Sequence, residues 1–273
     1  MPTQAEKGII FRALHTRNRA FIIPNPWDPG TARLLAHLGF EALATTSAGY
    51  AFSIGVPDGA VGRDRMIAHV AQIVAATDLP VSGDLENGFS DAPEEVAETI
   101  RLAANAGLVG CSIEDATGRS DQPIYDIVHA AERICAAADA ARALPYPFTL
   151  TARAENYLHG RPDLDDTIRR LQAFQNAGAD VLYAPGLTRK EEIAAVIASV
   201  DRPVNFLAGL PGCGLDLAEM SALGVRRVSV GSALSRAALG AFLVAAEEMR
   251  ARGTFTFTEQ SANSRQINSI LSA

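Results

Sequence analysis

Leu79-Pro80-Val81-Ser82-Gly83-Asp84-Leu85-Glu86-Asn87-Gly88-Phe89 runs from an apolar, β-prone start into two carboxylates and a glycine turn. In a strand, residues i and i+2 face the same side, so Asp84 and Glu86 project together where the strand ends. Beyond the turn, Pro93–Ala106 carries a helical pattern that closes at Gly107. Strand, carboxylate-bearing loop and helix together make one unit, and that unit recurs along the chain.

Upstream and downstream the same reading gives strands at Phe21–Ile23, Glu41–Thr46, Gly110–Glu114, Phe148–Arg153, Asp180–Tyr183, Pro203–Phe206 and Arg226–Val230. Helices follow at Thr31–Leu38, from about Gly62 to Thr77, and at Tyr125–Ala143, Leu164–Ala177 and Ala233–Arg250. Thr3–Thr16 opens the chain as a lid helix. Eight strands alternating with helices and lacking hairpin signals call for an all-parallel sheet, and this count is that of a (β/α)₈ TIM barrel. The competing open doubly wound sheet would carry a GxGxxG turn after its first strand, and none is present. The expected organisation is therefore a catalytic barrel over 1–253 and a C-terminal arm over 254–273. In the arm, Thr254–Thr258 reads as β-prone or extended and Glu259–Leu271 as a helix. Phe255 and Phe257 would be costly to leave in water, so the arm packs on its own barrel or on a neighbour.

The chain has 273 residues, 48% of them hydrophobic, and a net charge of −7 without blocks of like charge. That balance argues against a nucleic-acid or anionic-membrane surface. Cys111, Cys135 and Cys213 are scattered and have no CxxC spacing, so neither a disulfide framework nor a zinc site is expected. No apolar run approaches the ~20 residues of a membrane span, and the start does not read as a signal peptide. A cytoplasmic protein is the expectation.

A barrel carries its chemistry at the C-terminal ends of its strands. Those ends hold Thr45-Thr46-Ser47, then Asp84 and Glu86, then Glu114-Asp115, then Arg153 and Glu155, with Asn205 further on and Asp58 in the long loop after the second strand. Such a gathering of carboxylates would repel without a cation, and it suits a hard divalent ion, Mg²⁺ or Mn²⁺ in its place. Arg153 can then pair bidentately with an anionic group on a ligand; the alternative is a salt bridge to Glu155 or Glu114. Thr46, Ser47 and Ala48 offer hydroxyls and backbone N–H groups to an anion, or form a plain small-residue loop. The histidines, His15, His37, His69, His129 and His159, have no ligand-like spacing and read as surface or helix positions.

These residues resemble the isocitrate lyase/phosphoenolpyruvate mutase superfamily over nearly the whole chain. Gly83–Phe89 resembles its D-x-D-x-G-[FY]-G metal motif, and Ser53-Ile54-Gly55-Val56-Pro57-Asp58 its S-L-G-x-P-D segment. Ser112-Ile113-Glu114-Asp115 is similar to its H-I-E-D strand end, and Thr151-Ala152-Arg153-Ala154-Glu155 to its A-R-x-[DE]. The resemblance implies Asp84 as the direct Mg²⁺ ligand, with Asp58, Glu86 and Glu114 reaching the ion largely through water. It also implies that Thr46, Ser47 and Ala48 hold a 2-oxo acid carboxylate and that Arg153 holds the departing group. Asn205 is a further candidate for substrate contact. Subunits of the superfamily swap their last helix in a dimer, and two dimers make a tetramer.

The departures narrow the chemistry. Glu86 replaces the usual Asp. The lyases' K-[KR]-C-G-H lid is here Ala116-Thr117-Gly118-Arg119-Ser120-Asp121-Gln122-Pro123, without cysteine. Pro185 stands where the lyases place a glutamate, and no asparagine of the kind the mutases use occurs between Asp115 and Tyr125. The expectation is an Mg²⁺-dependent lyase that cleaves the bond at C3 of a small 2-oxo acid through a pyruvate enolate, as in oxaloacetate decarboxylation, because CO₂ departs without a proton. A phosphonopyruvate hydrolase or mutase-like P–C bond enzyme is one alternative. A non-catalytic 2-oxo acid binding protein is the other.

Overall fold

The computed structural model describes residues 2–272 and forms a (β/α)₈ barrel. Its strands are β1 (Phe21–Ile23), β2 (Leu43–Ala44), β3 (Val81–Asp84), β4 (Gly110–Glu114), β5 (Thr149–Arg153), β6 (Val181–Tyr183), β7 (Val204–Leu207) and β8 (Arg227–Ser229). All pairings are parallel, running from β2 through β8 and on to β1. A backbone bond from Ala44 N to Pro24 O at 3.1 Å spans the remaining gap between β1 and β2. The second strand is much shorter than Glu41–Thr46, because Thr46 leaves the sheet to cap a helix.

That helix, α3 (Ser47–Ser53), was not legible as a separate element; Thr46 Oγ1 accepts from Gly49 N at 3.2 Å to start it. The other helices are α1 (Gln4–His15), α2 (Pro29–His37), α4 (Arg63–Ala75), α5 (Pro93–Asn105), α6 (Ile127–Arg142), α7 (Leu164–Asn176), α8 (Lys190–Ala198), α9 (Leu217–Leu223), α10 (Ala233–Arg252) and α11 (Ser264–Ser272). Several start as their sequences dictate: Asp28, Asp126 and Asp163 each accept a backbone N–H of the first turn.

The expected lid helix α1 closes the opposite end of the barrel from the strand ends that carry the carboxylates. Phe11 and Leu14 are buried with Phe21, Ala42 and Val109, which lie at or just before the starts of strands. Gln4 Nε2 donates to Leu108 O at 2.9 Å, and a Cβ on Gly8 would lie 2.4 Å from Pro147 O, so only glycine lets α1 seat this closely. His15 and His69 are on helices as expected, yet both are buried. The Thr254–Thr258 stretch is not extended: Thr256–Gln260 is a 3-10 turn, and α11 then packs against α2. Among the described residues no helix is long and apolar enough to cross a membrane, and all three cysteines are free.

Buried ion pairs fix the loops at the top of the barrel. Asp115, just past β4, accepts from Glu155 N and from Arg170 Nη1, at 2.8 and 2.9 Å. Arg170 also donates to Tyr125 O at 2.9 Å, so one helix side chain joins the ends of β4 and β5 to the start of α6. Arg133 of α6 lies over the Tyr125 ring and donates to Asn87 O, Ser90 O and Glu114 O, tying the β3 loop to β4. Breaking one partner of a buried pair leaves the other charge uncompensated, at a cost of about 3–5 kcal/mol. Arg170→Met is therefore expected to lower stability by about that amount in urea unfolding, whereas the exposed Arg250→Ala should change it by roughly 0.5 kcal/mol or less. Equal effects would remove Arg170 as an anchor of the loops.

Candidate active site

Strand register assembles the site. β3, β4 and β5 are adjacent, with Asp84 opposite Ser112 and Glu114 opposite Arg153. Arg153 is the hub: Nη1 donates to Asp84 Oδ1 at 2.9 Å, Nη2 lies 3.1 Å from Glu114 Oε2, and Nε donates to Glu155 Oε1 at 2.8 Å. The guanidinium is thus not free for a ligand, as one reading of the sequence had it; it makes the alternative bridges to Glu114 and Glu155 and a third to Asp84. Burial opposes its charge, but Glu114, Glu155 and Asp84 more than offset this and hold it firmly protonated.

Asp84 is bound on its other oxygen too. Oδ2 accepts from the N–H and the hydroxyl of Ser47, at 3.0 and 2.9 Å, and Asp84 N donates to Thr45 Oγ1 at 2.8 Å. The Ser47 N–H expected to meet an anion therefore meets the carboxylate of Asp84. Thr46, Ser47 and Ala48 line the same cavity as Asp58, Asp84 and Arg153, so the structure brings these sequence-derived candidates together. Asp58, on its exposed loop, lies 3.5 Å from Ser47 Oγ.

Glu86 does not continue the strand. Its φ of 49° is left-handed, uncommon for a residue with a side chain, and it turns the β3 loop so that Glu86 lines a broad upper cleft of about 1240 Å³ with Asp58, Glu114 and Arg153. One carboxylate oxygen of Glu86 is buried without a hydrogen-bond partner. Burial, with Asp84 and Asp58 adding like charge, pushes its carboxyl up to about 7. Partial loss of hydration where its carboxyl meets the cluster, reinforced by Asp84, raises Asp58, and burial raises Glu114 well above its ordinary value despite Arg153.

Asn205 is a correction. It sits in the wall of β7, buried, with Nδ2 donating to Ser229 Oγ and Oδ1 accepting from Arg227 Nε, at 2.9 and 2.8 Å. Its amide is consumed by β8, and it does not line the cavity. Arg227 and Tyr183 do line it, and neither was singled out as a site residue from the sequence. The signal for Arg227 was the pair Arg226-Arg227 at the start of a β-prone run, where alternation sends one of two neighbours inward.

The donor set suits a metal held largely through water. Among the described residues no three His, Cys, Asp or Glu side chains are grouped closely enough to ligate one ion directly. All the oxygen donors are hard, one of them is orphaned, and their mutual repulsion calls for added positive charge. They fit an ion that keeps most of its waters and takes one or two carboxylates, the habit of Mg²⁺.

A family model described as phosphoenolpyruvate phosphomutase matches residues 11–250. A Burkholderia cenocepacia J2315 protein, provisionally described as a lyase/mutase, superposes with a TM-score of 0.97 at 68% identity, covering 99% of this chain and 97% of that one. An oxaloacetate decarboxylase of Paraburkholderia xenovorans LB400 is 30% identical over 215 residues, 76% of this chain and 69% of its own. A phosphonopyruvate hydrolase in complex with oxalate and Mg²⁺ shares the fold, with a TM-score of 0.85 at 24% identity and 97% and 95% coverage.

The raised Glu86 has a consequence for stability. Its folded carboxyl holds a proton more tightly than the unfolded one, so its contribution is complete below about 4.5 and is lost as pH rises through about 7. Without divalent ions, the melting temperature of Glu86→Gln should fall less than that of the wild type across this window. Parallel pH profiles would show that Glu86 is not a strained carboxylate.

Proposed function

The chain belongs to the phosphoenolpyruvate phosphomutase family, and from that premise we propose a divalent-metal-dependent lyase that cleaves the bond at C3 of a small 2-oxo acid through a pyruvate enolate. Oxaloacetate decarboxylation is the reaction the site suits best. The observation that carries this reading is the meeting of Asp84, Glu114 and Arg153 at neighbouring strand ends, with Asp58 and Glu86 beside them.

Asp84 would hold an Mg²⁺ ion directly, with Asp58, Glu86 and Glu114 around it through water; the ion supplies polarisation of the 2-oxo group and charge for the enolate oxygen. Arg153, bonded to Asp84, Glu114 and Glu155, fixes the positions of these carboxylates around the ion's place. Thr46, Ser47 and Ala48 border the cavity where the acid's own carboxylate is expected. In decarboxylation the C3–carboxylate bond breaks, CO₂ leaves unprotonated, the electron pair stays on the enolate, and a proton taken up at C3 completes pyruvate. The lid suits this economy of proton transfer. Ala116–Pro123 is pinned by a backbone bridge from Ala116 to Ile124 and by Arg119 on Asp91, and it offers no cysteine or histidine to the cleft. The decarboxylase relative and the Mg²⁺ and oxalate of the hydrolase structure support the same substrate class. The free thiols are in keeping with a reducing cytoplasm.

A panel of 2-oxo acids incubated with protein and Mg²⁺ tests the reading. Oxaloacetate should yield pyruvate above its spontaneous rate, and Asp84→Ala should fall to that background while the barrel still melts cooperatively. Phosphate from phosphonopyruvate would instead favour P–C cleavage. Tight binding without product from any acid would leave a binding protein.

We further propose that the chain assembles as a homo-oligomer, a dimer of dimers in which α10 and the start of the arm at Phe255 pack on a partner copy, while α11 stays against α2 of its own chain. Support comes from α10, whose Phe242, Leu243 and Val244 are 64–70% exposed, and from Phe255, 63% exposed just beyond it. A Phe242→Asp/Leu243→Asp variant should run as a smaller species in light scattering. Wild-type protein with monomer mass would contradict the assembly.

A further inference from the structure

Beneath the carboxylate cluster the barrel interior narrows to a cavity of about 200 Å³. Two guanidinium groups line it, and they are in opposite states. Arg153 has Nε, Nη1 and Nη2 all engaged by carboxylates. Arg227 is 5% exposed, uses Nε on the neutral amide of Asn205, and keeps a buried Nη1 with no partner at all. No carboxylate of the described residues lies within salt-bridge distance of it. A charged group taken from water without a counter-ion is costly to keep in a core, so its position calls for an anion from elsewhere.

Its surroundings fit that demand. Ser82, Ser112, Ser229 and Tyr183 bring hydroxyls to the same cavity. Asn205 orients the guanidinium without neutralising it, because its Nδ2 is committed to Ser229 and only the carbonyl oxygen is left to accept from Arg227. An aspartate at that position would have filled the same space and cancelled the charge. Burial, with Tyr183 opposing and Arg153 adding like charge, lowers Arg227 to about 10, so it remains cationic at neutral pH.

We propose that Arg227 is the specificity-determining cation of this site, receiving the second anionic group of the substrate at the floor of the cavity, with Asn205 as its positioning residue. The proposal rests on the reading that a 2-oxo acid occupies the barrel mouth, and it narrows that class to dianions. The second group is a carboxylate or a phosphonate.

Malate and lactate differ by one carboxylate on C3 and are stable probes. Calorimetry with Mg²⁺ on the full-length wild type should show malate bound more tightly than lactate. Arg227→Gln should lose roughly tenfold or more in malate affinity, the scale of one charge-assisted hydrogen bond, with lactate unchanged. Asn205→Asp keeps the arginine and the volume but supplies a counter-ion. It should retain or raise the melting temperature and still lose the malate preference, which a merely structural Arg227 would not do. A malate preference that survives in Asn205→Asp, or is absent from the wild type, overturns the proposal and leaves Arg227 solvated by ordered water only. Turnover separates this from the lyase reading. Pyruvate released from oxaloacetate with unchanged KM in Arg227→Gln keeps the lyase and removes the inference. An Arg227-dependent malate preference in a protein that releases no pyruvate does the reverse. Phosphonopyruvate bound more tightly than oxaloacetate, with the advantage lost in Arg227→Gln, supports the proposal and identifies the second anion as a phosphonate.

Discussion

Three carboxylates share one guanidinium. Asp84, Glu114 and Glu155 come from the ends of β3, β4 and β5, and Arg153 bonds each of them. The interaction depends on sheet register, since Glu114 faces Arg153 across β4 and β5 only if the strands are parallel and in step. It also depends on the loops being pinned, which the buried charges of Asp115, Arg170 and Arg133 accomplish from behind. Slippage of one strand by one residue would turn these side chains to the other face. The architecture of the barrel top is in this sense organised to keep one ionic cluster in place.

The cluster is not electrically balanced. Asp58 and Glu86 stand beside it, and the carboxyls of Asp58, Glu86 and Glu114 are all raised by loss of hydration and by neighbouring negative charge. Such a site is poised to accept another cation, and the open cleft above it gives a hydrated ion room. Below, Arg227 reverses the sign. The site is thus layered, with negative charge at the strand ends, where the proposed ion would bind, and an unpaired positive charge below, where the far end of the proposed dianion would rest.

Strand-end positions made much of this legible in the sequence. Asp84, Glu114 and Arg153 follow β-prone runs, and a barrel places such residues on one rim. What could not be read was the depth of each residue within the wall. Asn205 was placed among substrate contacts as the polar residue that the seventh strand supplies, yet its register opposite Arg227 buries its amide against β8. Arg227 itself was passed over, since an arginine pair at a strand start reads as solvated until the pleat assigns each member a face. The short β2 and the helix α3 were hidden for a different reason: Thr46 is both β-prone and a good N-cap, and the capping bond to Gly49 wins. The arm was misjudged by propensity, because Thr256–Gln260 closes a 3-10 turn around Glu248, whose carboxylate accepts from Thr254 and Thr256.

A crystal structure of the full chain grown with Mn²⁺ and oxalate, read by anomalous scattering, addresses the central claim most directly. The expected result is a single ion on the Asp84 carboxylate, with Asp58, Glu86 and Glu114 arranged around its waters and oxalate beside it in the cavity. Manganese bound elsewhere, with Arg153 still joined to Asp84, Glu114 and Glu155 and no ion at the strand ends, would contradict it.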